Sequence, residues 1–151
     1  NWLAPIITDA NCLDLFAGTG ALGLEALSRG AQHVMFIDKS RKVIEHLEQT
    51  LITLHATEKA TIIQADSSKK IPSQQQPFDI VFLDPPFYQD LLKPSCHWLE
   101  ENNLLSNNCY IYIEAERKLD SLPTPSNWHV IREKLAGKVS YYLIWREGES
   151  T

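Results

Sequence analysis

The end of the sequence restricts the fold more than any other feature. Two β-rich runs, residues 128–135 and 138–146, are separated only by Ala136 and Gly137. So short a link can only join antiparallel neighbours as a hairpin, because parallel neighbours need a crossover of about a dozen residues. The sheet must therefore contain one strand that runs against the others.

The rest of the chain alternates strand-like and helix-like segments. Strands are predicted at residues 12–16, 33–37, 60–64, 78–83 and 109–114. Helices are predicted at 19–29, at 41–54 with Ser40 as the N-cap, and at 89–101 despite Pro94. This alternation indicates right-handed βαβ units and a parallel sheet in an α/β domain. A length of 151 residues fits one such domain.

A glycine pattern follows the first predicted strand. Gly18, Gly20 and Gly23 form G-x-G-x-x-G between this strand and the first helix. Glycines at this position allow a tight turn and a close approach of the backbone to a ligand at the strand's carboxyl end. The context favours a nucleotide or nucleoside site over a turn that serves only helix–strand packing.

Acidic residues end the second and third predicted strands. Asp38 lies 20 residues after Gly18, where a carboxylate can accept hydrogen bonds from both ribose hydroxyls. Asp66 ends the third strand and could accept from an adenine amino group. The alternative for both is a charge or cap for the following helix. The glycine loop favours the ribose role for Asp38, whereas Asp66 alone favours neither interpretation.

The tetrapeptide 84–87, Asp-Pro-Pro-Phe, follows the apolar run 78–83 and is the most specific motif in the chain. Its two prolines fix two φ angles and remove two N–H donors, so the loop is rigid and its carbonyls can face a ligand. Asp84 adds a carboxylate acceptor and Phe87 a flat apolar surface. Acceptors beside an aromatic ring suit an exocyclic amine on a base. This role is favoured over a stiff turn with a core phenylalanine.

Several segments together resemble one family. The tetrapeptide 84–87 resembles motif IV of the amino-group methyltransferases that use S-adenosyl-L-methionine, and residues 13–20, Leu-Asp-Leu-Phe-Ala-Gly-Thr-Gly, resemble their motif I. The stretches 1–31 and 127–139 are similar to the RsmD-type 16S rRNA (guanine-N2)-methyltransferases of bacteria. The resemblance covers essentially the whole chain.

The resemblance implies a Rossmann-like class I methyltransferase fold. Its sheet would be seven-stranded and mostly parallel, with an antiparallel strand in the C-terminal hairpin. Residues 1–151 would form a single catalytic domain, without the basic N-terminal hairpin that family members carry before this position. The implied reaction transfers a methyl group from S-adenosyl-L-methionine to the exocyclic N2 amine of a guanine in 16S rRNA of the small ribosomal subunit.

The resemblance also implies a role for each site residue. Cofactor contacts are expected from Asp14, Phe16, Gly18, Gly20, Asp38, Asp66 and Ser67. Among these, Asp14 would lie near the amino group of the methionine part. The catalytic loop would be Asp84, Pro85, Pro86 and Phe87. We hypothesise that the Asp84 carboxylate and the Pro85 carbonyl accept the two amine hydrogens and localise the nitrogen lone pair, while Phe87 stacks on a guanine taken out of its RNA stack.

Charge and cysteine usage bear on partners and location. The net charge of −5 does not itself favour a nucleic-acid partner, because phosphate binding needs clustered Lys and Arg. Weak phosphate contact is one interpretation of Arg132, Lys134, Lys138 and Arg146 in the hairpin. Cys12, Cys96 and Cys109 are predicted to be reduced core thiols, and neither they nor the five histidines form a metal-ligand pattern. A cytoplasmic monomer without metal or membrane contact is expected.

Three other functions stay open from the sequence. An amino methyltransferase acting on DNA adenine or on another RNA base would use the same Asp-Pro-Pro-Phe loop. A NAD-dependent dehydrogenase shares the three-glycine pattern, although the proline loop and the antiparallel end argue against it. A non-catalytic module that binds S-adenosyl-L-methionine and assists a partner would not need the intact acids and proline loop.

Overall fold

The described residues form one seven-stranded sheet with helices on both faces. A computed structural model describes residues 2–66, 76–86, 90–116 and 121–149. The strands are β1 (Asn11–Asp14), β2 (His33–Asp38), β3 (Ala60–Gln64), β4 (Phe78–Leu83), β5 (Leu105–Glu116), β6 (Trp128–Ala136) and β7 (Val139–Arg146). The helices are α1 (Ala21–Ser28), α2 (Arg41–Thr53) and α3 (Leu92–Glu101), with a short 3₁₀ turn at Thr57–Lys59.

The strand order is β3-β2-β1-β4-β5-β7-β6. Pairs among β1 to β5 are parallel, whereas β7 runs antiparallel to both β5 and β6. The predicted α/β class and the Rossmann-like, mostly parallel seven-stranded sheet with an antiparallel strand in the C-terminal hairpin are therefore confirmed. The last of the described strands, β7, lies inside the sheet, and β6 forms its edge.

Several element boundaries differ from the predicted ones for identifiable reasons. The first helix begins at Ala21 instead of residue 19, because Gly20 has a φ of +81° and cannot continue a helix. The third helix begins at Leu92, since Asp90 has a φ of +50°. Pro94 lies in the first turn of α3, where its missing N–H costs no hydrogen bond. Ser40 caps α2 as predicted, because its Oγ accepts a hydrogen bond from Val43 N at 3.3 Å.

Two apolar clusters hold the helices against the sheet. Leu47 and Leu51 of α2 and Ala26 of α1 pack on one face with Phe36 and Phe82. On the other face α3 packs through Leu92, Cys96 and Leu99. The three cysteines are buried and free, as predicted. Within the described ranges, no helix is both long enough and apolar enough to cross a bilayer.

A polar cluster fastens the C-terminal hairpin to α3. Glu100 accepts from Arg146 Nε at 2.7 Å and Nη2 at 2.6 Å, and from Trp128 Nε1 at 2.8 Å. The hydrogen bonds from Arg146 are the main cause that lowers the pKa of Glu100. Arg146 is thus committed to the fold, and the interpretation of this residue as a phosphate contact is wrong.

We expect Arg146→Met to lower the free energy of unfolding by about 2–4 kcal/mol, because it leaves a largely buried carboxylate without its charge partner. The side chains of Arg146 and Glu100 are only 11% and 22% exposed. Arg41→Met is the matched control, since Arg41 pairs with Glu45 on the exposed side of α2 and such pairs contribute about 0–1 kcal/mol. Urea unfolding measures both, and equal losses would contradict the assigned role.

Candidate active site

A cavity of about 690 Å³ opens at the carboxyl ends of the parallel strands. This volume lies within the roughly 300–1,000 Å³ typical of small-molecule sites. It is lined by these predicted site residues: Phe16, Gly18, Asp38, Asp66, Asp84, Pro85 and Pro86. The structure thus brings together residues from the loops that follow β1, β2, β3 and β4. Ser67 and Phe87 lie outside the described residues.

The glycine loop and Asp38 form one wall of the cavity. Gly18 has a φ of +56°, and its amide N donates to Asp38 Oδ2 at 3.0 Å. The Ser40 amide N donates to the other oxygen, Oδ1, at 2.9 Å. Each carboxylate oxygen can accept a second hydrogen bond, so Asp38 holds the loop and still has acceptor capacity toward the cavity.

Asp14 and Gly20 lie behind this wall and do not line the cavity. The Asp14 side chain is 1% exposed, and its Oδ2 accepts from the Gly23 amide N at 3.2 Å. Burial disfavours the charged form of Asp14 and raises its pKa to about 8. A Cβ on Gly20 would collide with Leu47. Both residues thus help to seat α1, and their predicted cofactor contacts stay predictions.

Asp84 lies at the end of β4 with a second carboxylate beside it. Leu83 of β4 is in register with Ile113 of β5, so Asp84 and Glu114 are neighbours across the two strands. Burial raises the pKa of Asp84 to about 6, with further contributions from the charge of Glu114 and a side-chain hydrogen bond to it. Pro85 is buried and Pro86 is exposed, so the proline loop is anchored at one end and open at the other.

Glu114 and Tyr112 are site residues that sequence reasoning missed. Tyr112 donates its hydroxyl to Glu114 Oε1 at 3.0 Å. Burial raises the pKa of Tyr112 further above its ordinary value, so the hydroxyl keeps its proton. The alternation of small or aliphatic residues at 109, 111, 113 and 115 with aromatic or acidic residues at 110, 112, 114 and 116 is the sequence signal that could have placed both residues on one face of β5.

Known proteins with similar sequences identify the family. The sequence model of the family described as "Conserved hypothetical protein 95" matches residues 1–145. Ribosomal RNA small subunit methyltransferase D of Escherichia coli is 45% identical over 150 residues, which cover 99% of this chain and 75% of that protein. This chain belongs to the small subunit methyltransferase D family. The predicted RsmD-type family and methyltransferase activity are therefore confirmed.

Solved structures agree with this family assignment. A putative methyltransferase of Escherichia coli has a TM-score of 0.90 and 44% identity, over 99% of this chain and 82% of that chain. A putative methylase of Haemophilus influenzae has a TM-score of 0.88 and 44% identity, over 97% of this chain and 92% of that chain. TrmN of Thermus thermophilus has a TM-score of 0.80 at 17% identity, over 96% of this chain and 46% of that chain, and shows the fold alone.

Proposed function

We propose that this methyltransferase transfers the methyl group of S-adenosyl-L-methionine to the exocyclic N2 amine of a guanine in 16S rRNA of the small ribosomal subunit. The observation that carries the proposal is the rigid Asp84-Pro85-Pro86 loop on the wall of the large cavity. Relatives that are 45% identical bear the name ribosomal RNA small subunit methyltransferase D. RNA as partner and the cytoplasm as location are part of the same proposal.

The large cavity fits the proposed cofactor in its volume and in the carboxylate acceptors that line it. Asp38 would accept from the ribose hydroxyls with the lone pairs that the Gly18 and Ser40 amides leave free. Around the Cβ position of Gly18 the nearest heavy atom is at 4.0 Å, so the loop leaves room for a ligand. Asp66 would border the adenine. When bound, the cofactor supplies an electrophilic methyl group on a sulfonium, which is already a strong leaving group.

Asp84 and the proline loop would prepare the amine that is methylated. The lone pair of the guanine N2 is delocalised into the ring and is a poor nucleophile. Hydrogen bonds from the two N–H groups to the Asp84 carboxylate and the Pro85 carbonyl would localise that lone pair and aim it into the cavity. Acceptors fixed opposite a developing positive charge stabilise the transition state, because they need no reorganisation during the reaction.

Methyl transfer is expected to fall as the pH drops through about 6, the pKa to which Asp84 is raised by burial and by Glu114. Below that pH Asp84 holds a proton, which it donates toward Glu114, so it loses the negative charge that makes it a strong acceptor for the amine. Glu114→Gln removes the neighbouring charge and should move the inflection of kcat/KM to lower pH. The pKa of Asp84 should still stay above its ordinary value in this variant, because burial is the largest cause that raises it.

Glu116→Gln is the matched control for the pH profile. Glu116 lies two residues further along β5 and lines a separate cavity with Pro85 and Pro86, but its charge is not among the causes that raise the pKa of Asp84. Its profile should superimpose on that of the unmodified enzyme. A Glu114→Gln profile that also superimposed would contradict the coupling of the two carboxylates.

Transfer of a radiolabelled methyl group to small-subunit RNA tests the proposed function. The RNA comes from cells that lack the corresponding methyltransferase, and it is offered both free and in assembled subunits. Label on the N2 of one guanine is the expected result. Label on an adenine amino group, or transfer to DNA instead of RNA, would replace the proposed acceptor by another exocyclic amine.

A further inference from the structure

A second cavity, of about 340 Å³, lies on the same side of the sheet as Asp84. We name it the hairpin cavity, and it is lined by Trp2, Leu3, Tyr112, Lys134, Ala136 and Tyr141. None of these residues lines the large cavity, and only Tyr112 is linked to the proposed site, through its hydrogen bond to Glu114. Its position and its side chains point to a specific ligand.

Strand register places the hairpin cavity in line with the reacting site. Glu114 of β5, the neighbour of Asp84, is paired with Tyr141 of β7, which is paired with Lys134 of β6. Directly paired residues project to the same face of a sheet, and neighbouring strands lie about 4.8 Å apart. A row of four side chains thus runs from Asp84 to Lys134 over roughly 14 Å. The Tyr112 hydroxyl, bound to Glu114, joins the cavity to this row.

The lining combines flat aromatic surfaces with positive charge. The rings of Trp2 and Tyr112 meet edge to face, with centroids 6.5 Å apart. Lys134 is exposed, and no carboxylate in the described part of the chain forms an ion pair with it. Arg132 is in register with Leu143, so its side chain projects to the same face of the sheet as that of Lys134. Glu133 is in register with Tyr142 and projects to the opposite face. The cavity face of the hairpin is therefore basic despite the acidic chain.

Aromatic rings next to exposed cations are the features that bind single-stranded nucleic acid. Bases stack on the rings, while cations contact the backbone phosphates. An enzyme that takes a base out of its stack also contacts the flanking nucleotides, and these contacts set the sequence context. The hairpin cavity adjoins the position where the target base would reach Asp84, so a flanking nucleotide is its natural occupant.

We propose that the hairpin cavity binds a nucleotide that flanks the methylated base in single-stranded RNA, with the base stacked on an aromatic ring and a phosphate on Lys134. This inference rests on the proposed function, because it requires an RNA substrate. It assigns to the hairpin a role in choosing the substrate, separate from the acceptors that activate the amine.

The test compares variants of the hairpin cavity in methyl transfer to protein-free small-subunit RNA. Tyr141→Leu should raise the KM for RNA by at least about fivefold, the lower end of the loss for one stacked base. Tyr141→Phe keeps the ring and should restore the KM. Lys134→Ala should raise the KM and lower the slope of log(kcat/KM) against log[KCl] by about 0.7, the value for one phosphate of a single strand.

Lys59→Ala is the matched control for charge. Lys59 is an exposed lysine directly before β3, at the opposite end of the sheet from the cavities. It should change neither the KM for RNA nor the salt slope. Circular dichroism and the calorimetric affinity for S-adenosyl-L-methionine identify any variant that is misfolded. If Tyr141→Leu is misfolded, the KM and the salt slope of Lys134→Ala decide the outcome.

The possible outcomes separate the two proposals. If the unmodified protein methylates no RNA, the proposed function is wrong and this inference falls with it. If it methylates RNA but Lys134→Ala and Tyr141→Leu match Lys59→Ala, the hairpin cavity does not bind RNA. If the variants lose activity only on assembled subunits and not on free RNA, the cavity binds a ribosomal protein, and the RNA assignment is overturned.

Discussion

Asp84→Ala is expected to lower kcat for methyl transfer by about 10²–10³-fold, the loss typical of one preorganised group at a developing charge. The variant removes the carboxylate that would face the amine but leaves the glycine loop and Asp38 in place. Its calorimetric affinity for S-adenosyl-L-methionine should therefore stay within about twofold of the unmodified value. A turnover near that of the unmodified enzyme would remove Asp84 from the mechanism.

A pair of amide substitutions separates charge from position. Asp84→Asn keeps one neutral oxygen acceptor and should lose less activity than Asp84→Ala. Asp79→Asn makes the same exchange at the other end of β4, where Asp79 Oδ2 accepts from the Asn11 amide N at 2.9 Å. Its oxygen can still accept that bond, so kcat should not change. Equal losses in the two asparagine variants would indicate damage to β4 instead of loss of an acceptor.

Asp38→Ala is expected to weaken the affinity for S-adenosyl-L-methionine by about 10- to 100-fold, the equivalent of roughly 1.5–3 kcal/mol for hydrogen bonds to a charged group. Asp38 would contact the ribose directly and also hold the loop through the Gly18 amide N at 3.0 Å. With saturating cofactor, kcat should recover to within a few-fold, because Asp38 would not contact the amine.

The control for the half-buried Asp38 is an exposed carboxylate of the helix that follows it. Glu48→Ala removes an exposed side chain of α2 and should leave the calorimetric affinity unchanged. If Asp38→Ala also bound the cofactor with unchanged affinity, the ribose role would be wrong. Asp38 would then serve only to hold Gly18 and Ser40.

The sequence predicted the parts of the fold that depend on local patterns. The bounds of β3 and β4 are as predicted, because both are compact apolar runs flanked by breaks. The fifth strand extends from Leu105 to Glu116 instead of 109–114, because Leu105 pairs with Phe78 before an irregularity in the register, and the polar residues 106–108 within that irregularity hide the early start of the strand in the sequence. The place of β7 between β5 and β6 could not be predicted, because a hairpin pattern does not tell which strand is inside.

In the candidate site too, the features that follow from local sequence patterns were predictable, whereas those that depend on tertiary contacts were not. The loops after β1, β2, β3 and β4 were predictable, since the carboxyl ends of parallel strands meet at one edge of the sheet. Glu114 was missed because it is 30 residues from Asp84 in sequence and comes close only through the β4–β5 register. Asp14 stands in an apparently ideal motif position, but its side chain turns into the protein toward the Gly23 amide.

The position of β7 also affects how the newly made chain folds. Synthesis proceeds from the N-terminus, so the ribosome delivers β6 before the strand that must separate it from β5. Until residues 139–146 have emerged, β5 has an open outer edge and β6 has no partner in the sheet. Open edges of this kind recruit other chains. A nascent chain that stalls before this point therefore exposes the unpaired edges of β5 and β6, and only the addition of β7 completes the sheet.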